Sequence, residues 1–89
     1  MTGLDELASA FARIDDVKEM KKFFEEIFTD AERHDLGLRW ELMRRLRNKV
    51  PQRDIASQLG ISLCKITRGA KIVKDPKSVT NRLMGVKSP

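Results

Sequence analysis

Between Gln52 and Lys71 the chain reads QRDIASQLGISLCKITRGAK, and the spacing of its small and aliphatic residues leaves few ways to fold. Counted from Gln52, Ala56 falls fifth and Gly60 ninth, while Ile55, Leu59, Ile61 and Ile66 supply apolar positions around them. A small residue at Ala56 lets two helices cross closely. Gly60 can take the positive φ of a tight interhelical turn, and the aliphatics fix the crossing. Pro51 suits the first turn of the leading helix and Ser62 the N-cap of the second. Together these features predict a helix-turn-helix whose second helix is free to enter a DNA major groove.

Charge follows the same segment. Within residues 49–74 the six bases Lys49, Arg53, Lys65, Arg68, Lys71 and Lys74 face one acid, Asp54, so this stretch carries the whole formal charge of +5. Bases and acids balance elsewhere. Such concentration suits phosphate neutralisation better than general solvation.

With 89 residues, the chain is expected to form one domain with a modest core, and a second copy would help to bury its apolar surface. A homodimer is therefore expected. No run approaches the roughly 20 apolar residues that cross a bilayer, and MTGLDELASAF carries acids where a secretory signal carries bases. The single Cys64 excludes an internal disulfide. These points predict a reducing, cytoplasmic setting without membrane insertion.

No segment alternates like a strand, which predicts an all-α fold. Two amphipathic packing and dimerisation helices are expected within residues 1–28: one from about Leu4 to Ile14, one from about Asp16 to Phe28. Thr29 and Glu32 have the spacing of a capping box. They open a central helix carrying Leu36, Trp40, Met43 and Leu46 to about Arg47, and residues 48–50 connect it to the helix-turn-helix at 51–72. Asp75-Pro76 reads as the start of a last helix with Val79, Leu83 and Met84, within 75–85, followed by a frayed VKSP tail. Trp40, Phe23 and Phe24 are expected in the core or a dimer interface rather than stacking on bases.

Catalysis finds no support. There is no Ser-His-Asp or Cys-His set, no phosphate-cradling glycine loop and one histidine, so neither an enzyme nor a catalytic cofactor is expected. His34 has no Cys or second His at metal-binding spacing, which predicts no metal site.

ERHDLGLR at 32–39, QRDIA at 52–56 and ITRGAKIVK at 66–74 resemble the tryptophan repressor family over about half the chain. The resemblance implies an intertwined all-helical homodimer acting as a transcriptional repressor. Each subunit would offer one helix-turn-helix to a palindromic double-stranded operator, with L-tryptophan or a related indole as corepressor. Carried across by position, Arg39 and Arg68 would sandwich the ring, Arg68 also meeting the carboxylate. A planar guanidinium can do both. Gly69 would let the ligand approach the recognition helix, and Thr29 would reach the ligand from the partner subunit.

Met43 and Ile72 also fall at the family's ligand site, Ile72 where a serine near the ligand's amino group is usual, and Lys65 replaces a small hydroxyl residue. Loss of a polar partner at Ile72 costs on the order of 1–3 kcal/mol, which favours an indole acid lacking the amine. The connection between Arg39 and Arg53 is one residue shorter than the family's. Inside a helix that deletion would turn the following face by roughly 100°; in residues 48–50 it would be harmless.

For DNA, Gln52 and Arg53 are expected on phosphates, with Ser62, Leu63, Cys64, Lys65, Thr67, Arg68 and Lys71 on the recognition helix. Leu63, Cys64 and Thr67 suit base edges and thymine methyls. Few of these give bidentate readout, so water and DNA shape would share the specificity, as in the family's own operator complex. Two alternatives stay open: a ligand-independent DNA-binding regulator whose pocket Ile72 and Met43 fill, and a helical adaptor that packs on protein. For Arg39, an ion pair with Asp35 or Glu41 is the competing role. Cys64 is read as a small groove-facing residue rather than a redox switch.

Overall fold

The computed structural model describes residues 2–85, so the expected VKSP tail lies outside the described residues. These residues form six α-helices and no strand: α1 (Gly3–Ala12), α2 (Val17–Ile27), α3 (Asp30–Arg47), α4 (Gln52–Leu59), α5 (Leu63–Val73) and α6 (Val79–Met84). The fold is all-α, as the sequence predicts. The chain divides into two compact units, with the boundary after Asp35.

In the first unit, each helix start is secured locally. Thr2 accepts from the Asp5 N–H and the Asp5 carboxylate accepts from the Thr2 N–H. Asp16 caps α2 through the Glu19 N–H. The expected box at α3 is present, with the Glu32 N–H donating to the Thr29 hydroxyl at 3.2 Å and the Thr29 N–H to the Glu32 carboxylate at 2.9 Å. The Thr29 N–H on the carboxylate first, and then the Thr29 hydroxyl beside it, hold the Glu32 carboxyl below its ordinary value. Arg33 donates to the Phe28 carbonyl at 2.6 Å and pairs with Asp30.

Apolar contact in this unit comes from phenylalanine. Phe11 meets Phe23 and Phe24 edge-on, at centroid distances of 5.4 and 5.7 Å, and Phe24 meets Phe28 at 5.7 Å. Such edge contacts are the favoured aromatic geometry. Even so, neither α1 nor α2 contains a buried residue.

The second unit has a dense centre. Ile55 of α4 and Ile66 of α5 are fully buried and meet Leu42 of α3, with Leu46, Val50, Ala56, Leu59 and Ile61 packed around them. Gly60 ends α4 at φ +63°, the turn role its position suggests. On α3 the expected apolar residues divide: Leu46 packs against the core, and the buried set adds Leu42, which the pattern does not single out. Leu42 and Met43 are buried, while Leu36 and Trp40 are exposed. The helix carries two overlapping apolar stripes, and contact with Ile55 and Ile66 selects the one through Leu42.

α3 runs unbroken to Arg47 and closes in a Schellman turn, with the Val50 N–H on the Arg45 carbonyl and the Lys49 N–H on Leu46, both at 3.0 Å. Lys49 adopts φ +62°, a conformation that favours glycine. Pro51 stands at the N-cap of α4, one residue earlier than expected.

The last helix also starts later than Asp75-Pro76 suggests. Asp75 accepts from the Lys77 N–H at 2.9 Å and its carbonyl from the Ser78 N–H at 3.1 Å, forming a turn. Ser78 then caps α6 through the Asn81 N–H. An aspartate two residues before a free N–H closes a local turn as readily as it caps a helix.

Candidate nucleic-acid interface and ligand cavity

The buried pair Ile55 and Ile66 fixes α5 against α4 and leaves the opposite face of α5 in solvent. Leu63, Cys64, Thr67, Arg68 and Lys71 line one shallow groove on that face. Leu63 is 62% exposed, a large apolar side chain facing solvent. The Thr67 hydroxyl donates to the Leu63 carbonyl at 2.9 Å, which satisfies its proton along the helix. Lys65, expected on the same surface, instead lines the cavity behind α5; Arg68 borders both.

Gln52 and Arg53 are exposed at the start of α4. Here a contrast among the helices emerges. α1, α2, α3 and α6 begin with side-chain caps, but α4 and α5 have none. Ser62 occupies the N-cap of α5 with extended backbone, yet its hydroxyl makes no cap bond, contrary to the expected role. In an exposed position water can serve the first-turn N–H groups, and so can an anion.

Behind α5 lies a cavity of about 220 Å³ lined by Arg39, Leu42 and Met43 of α3, Lys65, Arg68, Gly69 and Ile72 of α5, and Thr80 of α6. Five of the positions inferred from the family resemblance meet here: Arg39, Met43, Arg68, Gly69 and Ile72. Thr29 belongs to the first unit, where it caps α3. Glu41 is bound by Arg45 at 3.3 Å and reached by Arg44 at 4.0 Å, and among the described residues Arg39 has no ion-pair partner.

Gly69 has a packing role that its motif does not reveal. A Cβ there would lie 2.9 Å from Leu46 Cδ1 and 3.2 Å from Met43 Sδ, so glycine lets α5 seat on α3. Sequence reasoning also missed Asn81. Its side-chain amide donates to the carbonyls of Ile72, Val73 and Asp75 at 2.9, 3.0 and 3.1 Å, and its Oδ1 accepts from Arg47 at 3.0 Å. One side chain thereby fastens the end of α5, the turn after it and the end of α3. An asparagine inside a short helix signals nothing of this. Arg45 similarly links α3 to α4 by donating to Gln58.

An all-helical chain whose buried contacts hold a helix-turn-helix, with a cavity behind the second helix, has the build of a helix-turn-helix regulator. Comparison with known proteins narrows the class. The family described as "Trp repressor protein" matches residues 2–85, and the chain belongs to that family, which is regulatory and non-enzymatic. It is 39% identical over 70 residues to a "Trp operon repressor homolog" of Xylella fastidiosa (strain M23), covering 78% of this chain and 76% of that protein. The match to a "Trp operon repressor homolog" of Chlamydia trachomatis serovar D (strain ATCC VR-885 / DSM 19411 / UW-3/Cx) is 32% over 75 residues, covering 76% and 80% respectively. No solved structure matches. The chain is a repressor-type regulator. No helix of the described residues is long and apolar enough to cross a membrane, and among them no group of three His, Cys, Asp or Glu could hold a metal ion.

Proposed function

We propose that the protein is a sequence-specific DNA-binding repressor, acting as a homodimer on a palindromic operator, with a small indole-type corepressor such as L-tryptophan in the cavity behind α5. The observation that carries this reading is the position of α5: locked by Ile66 on one side, it is exposed and free of acidic residues on the other. Gln52 and Arg53 are assigned to phosphates, supported by the uncapped start of α4. Leu63, Cys64 and Thr67 are assigned to base edges, and Arg68 and Lys71 to the flanking backbone.

A ligand held by Arg39 and Arg68 would act on DNA affinity only by binding more tightly when α5 has the orientation that fits the groove. The open cavity favours this over the ligand-independent alternative, in which Ile72 and Met43 would fill it. Its size is below the roughly 300–1,000 Å³ typical of sites for drug-sized molecules, which suits a small ring.

Selection of genomic fragments by the purified protein, with and without L-tryptophan, tests the proposal. Enrichment of a palindrome whose retention falls steeply with salt is expected, because several Lys and Arg contacts release counterions. Retention of no sequence, or binding insensitive to salt, would contradict it and favour the protein-binding adaptor.

A further inference from the structure

The recognition helix α5 is held by different means along its length. At its middle, buried Ile66 packs with Ile55 and Leu42, and Gly69 seats against Leu46 and Met43. Its far end lacks the stop that closes the two helices before it. A left-handed residue follows α3 at Lys49 and α4 at Gly60, whereas Lys74 at the end of α5 stays in the right-handed region and leads into Asp75 and Pro76. The last carbonyls of such a helix look elsewhere for donors. Asn81 Nδ2 supplies them, to Ile72 at 2.9 Å and Val73 at 3.0 Å, and also reaches the Asp75 carbonyl at 3.1 Å.

The helix that carries Asn81 does little else for the core. α6 contributes no buried residue, and its Val79 and Leu83 are exposed. Asn81 itself is partly buried, with both ends of its amide in use: Oδ1 accepts from Arg47 at 3.0 Å, and Arg47 donates also to the Asn81 carbonyl at 3.2 Å. A carboxamide offers donor and acceptor from one planar group. An aspartate of the same shape could face Arg47 but not the three carbonyls.

Ile66 and Gly69 lie one turn apart, so their contacts hold α5 at its middle and leave its tilt to its ends. Over 11 residues the helix is roughly 16 Å long. About 1 Å of slack at the far end therefore carries Leu63 and Cys64 a comparable distance the other way, more than the roughly 0.5 Å within which a recognition site must be held. We propose that Asn81 is a positioning residue for DNA reading: by tying the C-terminal end of α5 to Arg47 on α3, it fixes the orientation in which the recognition helix meets a specific site. The inference rests on the DNA-binding reading and adds to it a residue outside the helix-turn-helix.

Fluorescence anisotropy on the full chain tests it with two labelled duplexes, one carrying the palindrome retained in the genomic selection and one with both half-sites scrambled, under the ligand condition of that selection. The ratio of the two affinities is the readout, because an unfolded fraction withdraws protein from both duplexes alike. Asn81→Ala should lower that ratio by at least about 10-fold while binding to the scrambled duplex stays within about 2-fold, since Gln52 and Arg53 still reach phosphates. Asn81→Asp, which keeps the shape and the Arg47 partner, should lower it as far. Arg47→Lys, at an exposed position and without change of charge, breaks the same tie from α3 should neither Asn81 variant fold, and a fall of at least about 3-fold is expected. Equal losses on both duplexes, or no loss on either, would reduce Asn81 to a structural fastening and overturn the inference while leaving the DNA-binding reading intact. A wild-type chain that does not tell the two duplexes apart would overturn both.

Discussion

The first 35 residues and the remainder solve the problem of burial differently. From Leu36 onward, Ile55 and Ile66 reach 0% exposure and Leu42 only 4%, whereas α1 and α2 bury nothing fully. Leu4 and Val17 are 75% and 71% exposed. A unit of that length lies below the roughly 40 residues at which isolated domains usually need outside help. Its four phenylalanines hold it together, but its outer apolar faces have no partner in the unit. The contrast shows where burial is concentrated: the later unit fully buries the side chains that position α5, though Trp40, Leu63, Val79 and Leu83 stay exposed there, while the earlier one rests on edge contacts between phenylalanines.

The sharpest way to break that comparison is to remove buried carbon from the later unit. Ile66→Ala should destabilise by about 2–5 kcal/mol in urea unfolding, because a fully buried side chain leaves a cavity. A loss below about 1 kcal/mol would show that Ile66 is not a core residue.

Next in size is the complementary change. If a second copy covers the first unit, Leu4→Ser with Val17→Ser should weaken association by at least about 100-fold in sedimentation equilibrium, as burial of each such side chain contributes roughly 1.5–3 kcal/mol. An unchanged dissociation constant would show that this face is not the interface.

Two glycines sharpen the comparison further. At Gly37 an added Cβ meets nothing within 4 Å, so Gly37→Ala should stabilise by up to about 1 kcal/mol through helix propensity. Gly69→Ala meets the ends of the Leu46 and Met43 side chains, which must shift to admit it, so part or all of the same gain should be lost. The midpoint of thermal unfolding should therefore rise more for Gly37→Ala than for Gly69→Ala, and an equal rise would show that α5 does not seat closely on α3 at Gly69.

The smallest effect is a pH dependence in the first unit. The bonds from Thr29 depress the Glu32 pKa in the folded chain. Their contribution is present above the ordinary carboxylate range and fades as pH falls through the lowered folded value. The stability difference between the wild-type chain and Glu32→Gln should shrink on acidification; a difference growing toward low pH would contradict the assignment.

Much of the molecule is legible in its sequence where the signal is local. Ala56, Gly60 and the aliphatics around them announce the helix pair, and Thr29 with Glu32 announces a helix start. The family resemblance points to Arg39, Arg68 and Ile72, which the fold brings to one cavity. What escapes is set by tertiary contact. Leu42 wins over Trp40 only because Ile55 and Ile66 stand opposite, and Lys65 turns to the cavity because α5 is fixed by its neighbours. Lys49 hides a left-handed turn usually marked by glycine. Asn81, whose bonds tie three segments together, shows no pattern, since its partners are backbone carbonyls that no residue type reveals.

Footprinting on the selected DNA is the most direct test of a dimer that reads DNA through α4 and α5. Two equivalent protected half-sites are expected, centred about 10 base pairs apart and related by two-fold symmetry, with protection at both lost in Arg53→Ala. A single unsymmetrical footprint, or full protection by Arg53→Ala, would contradict it.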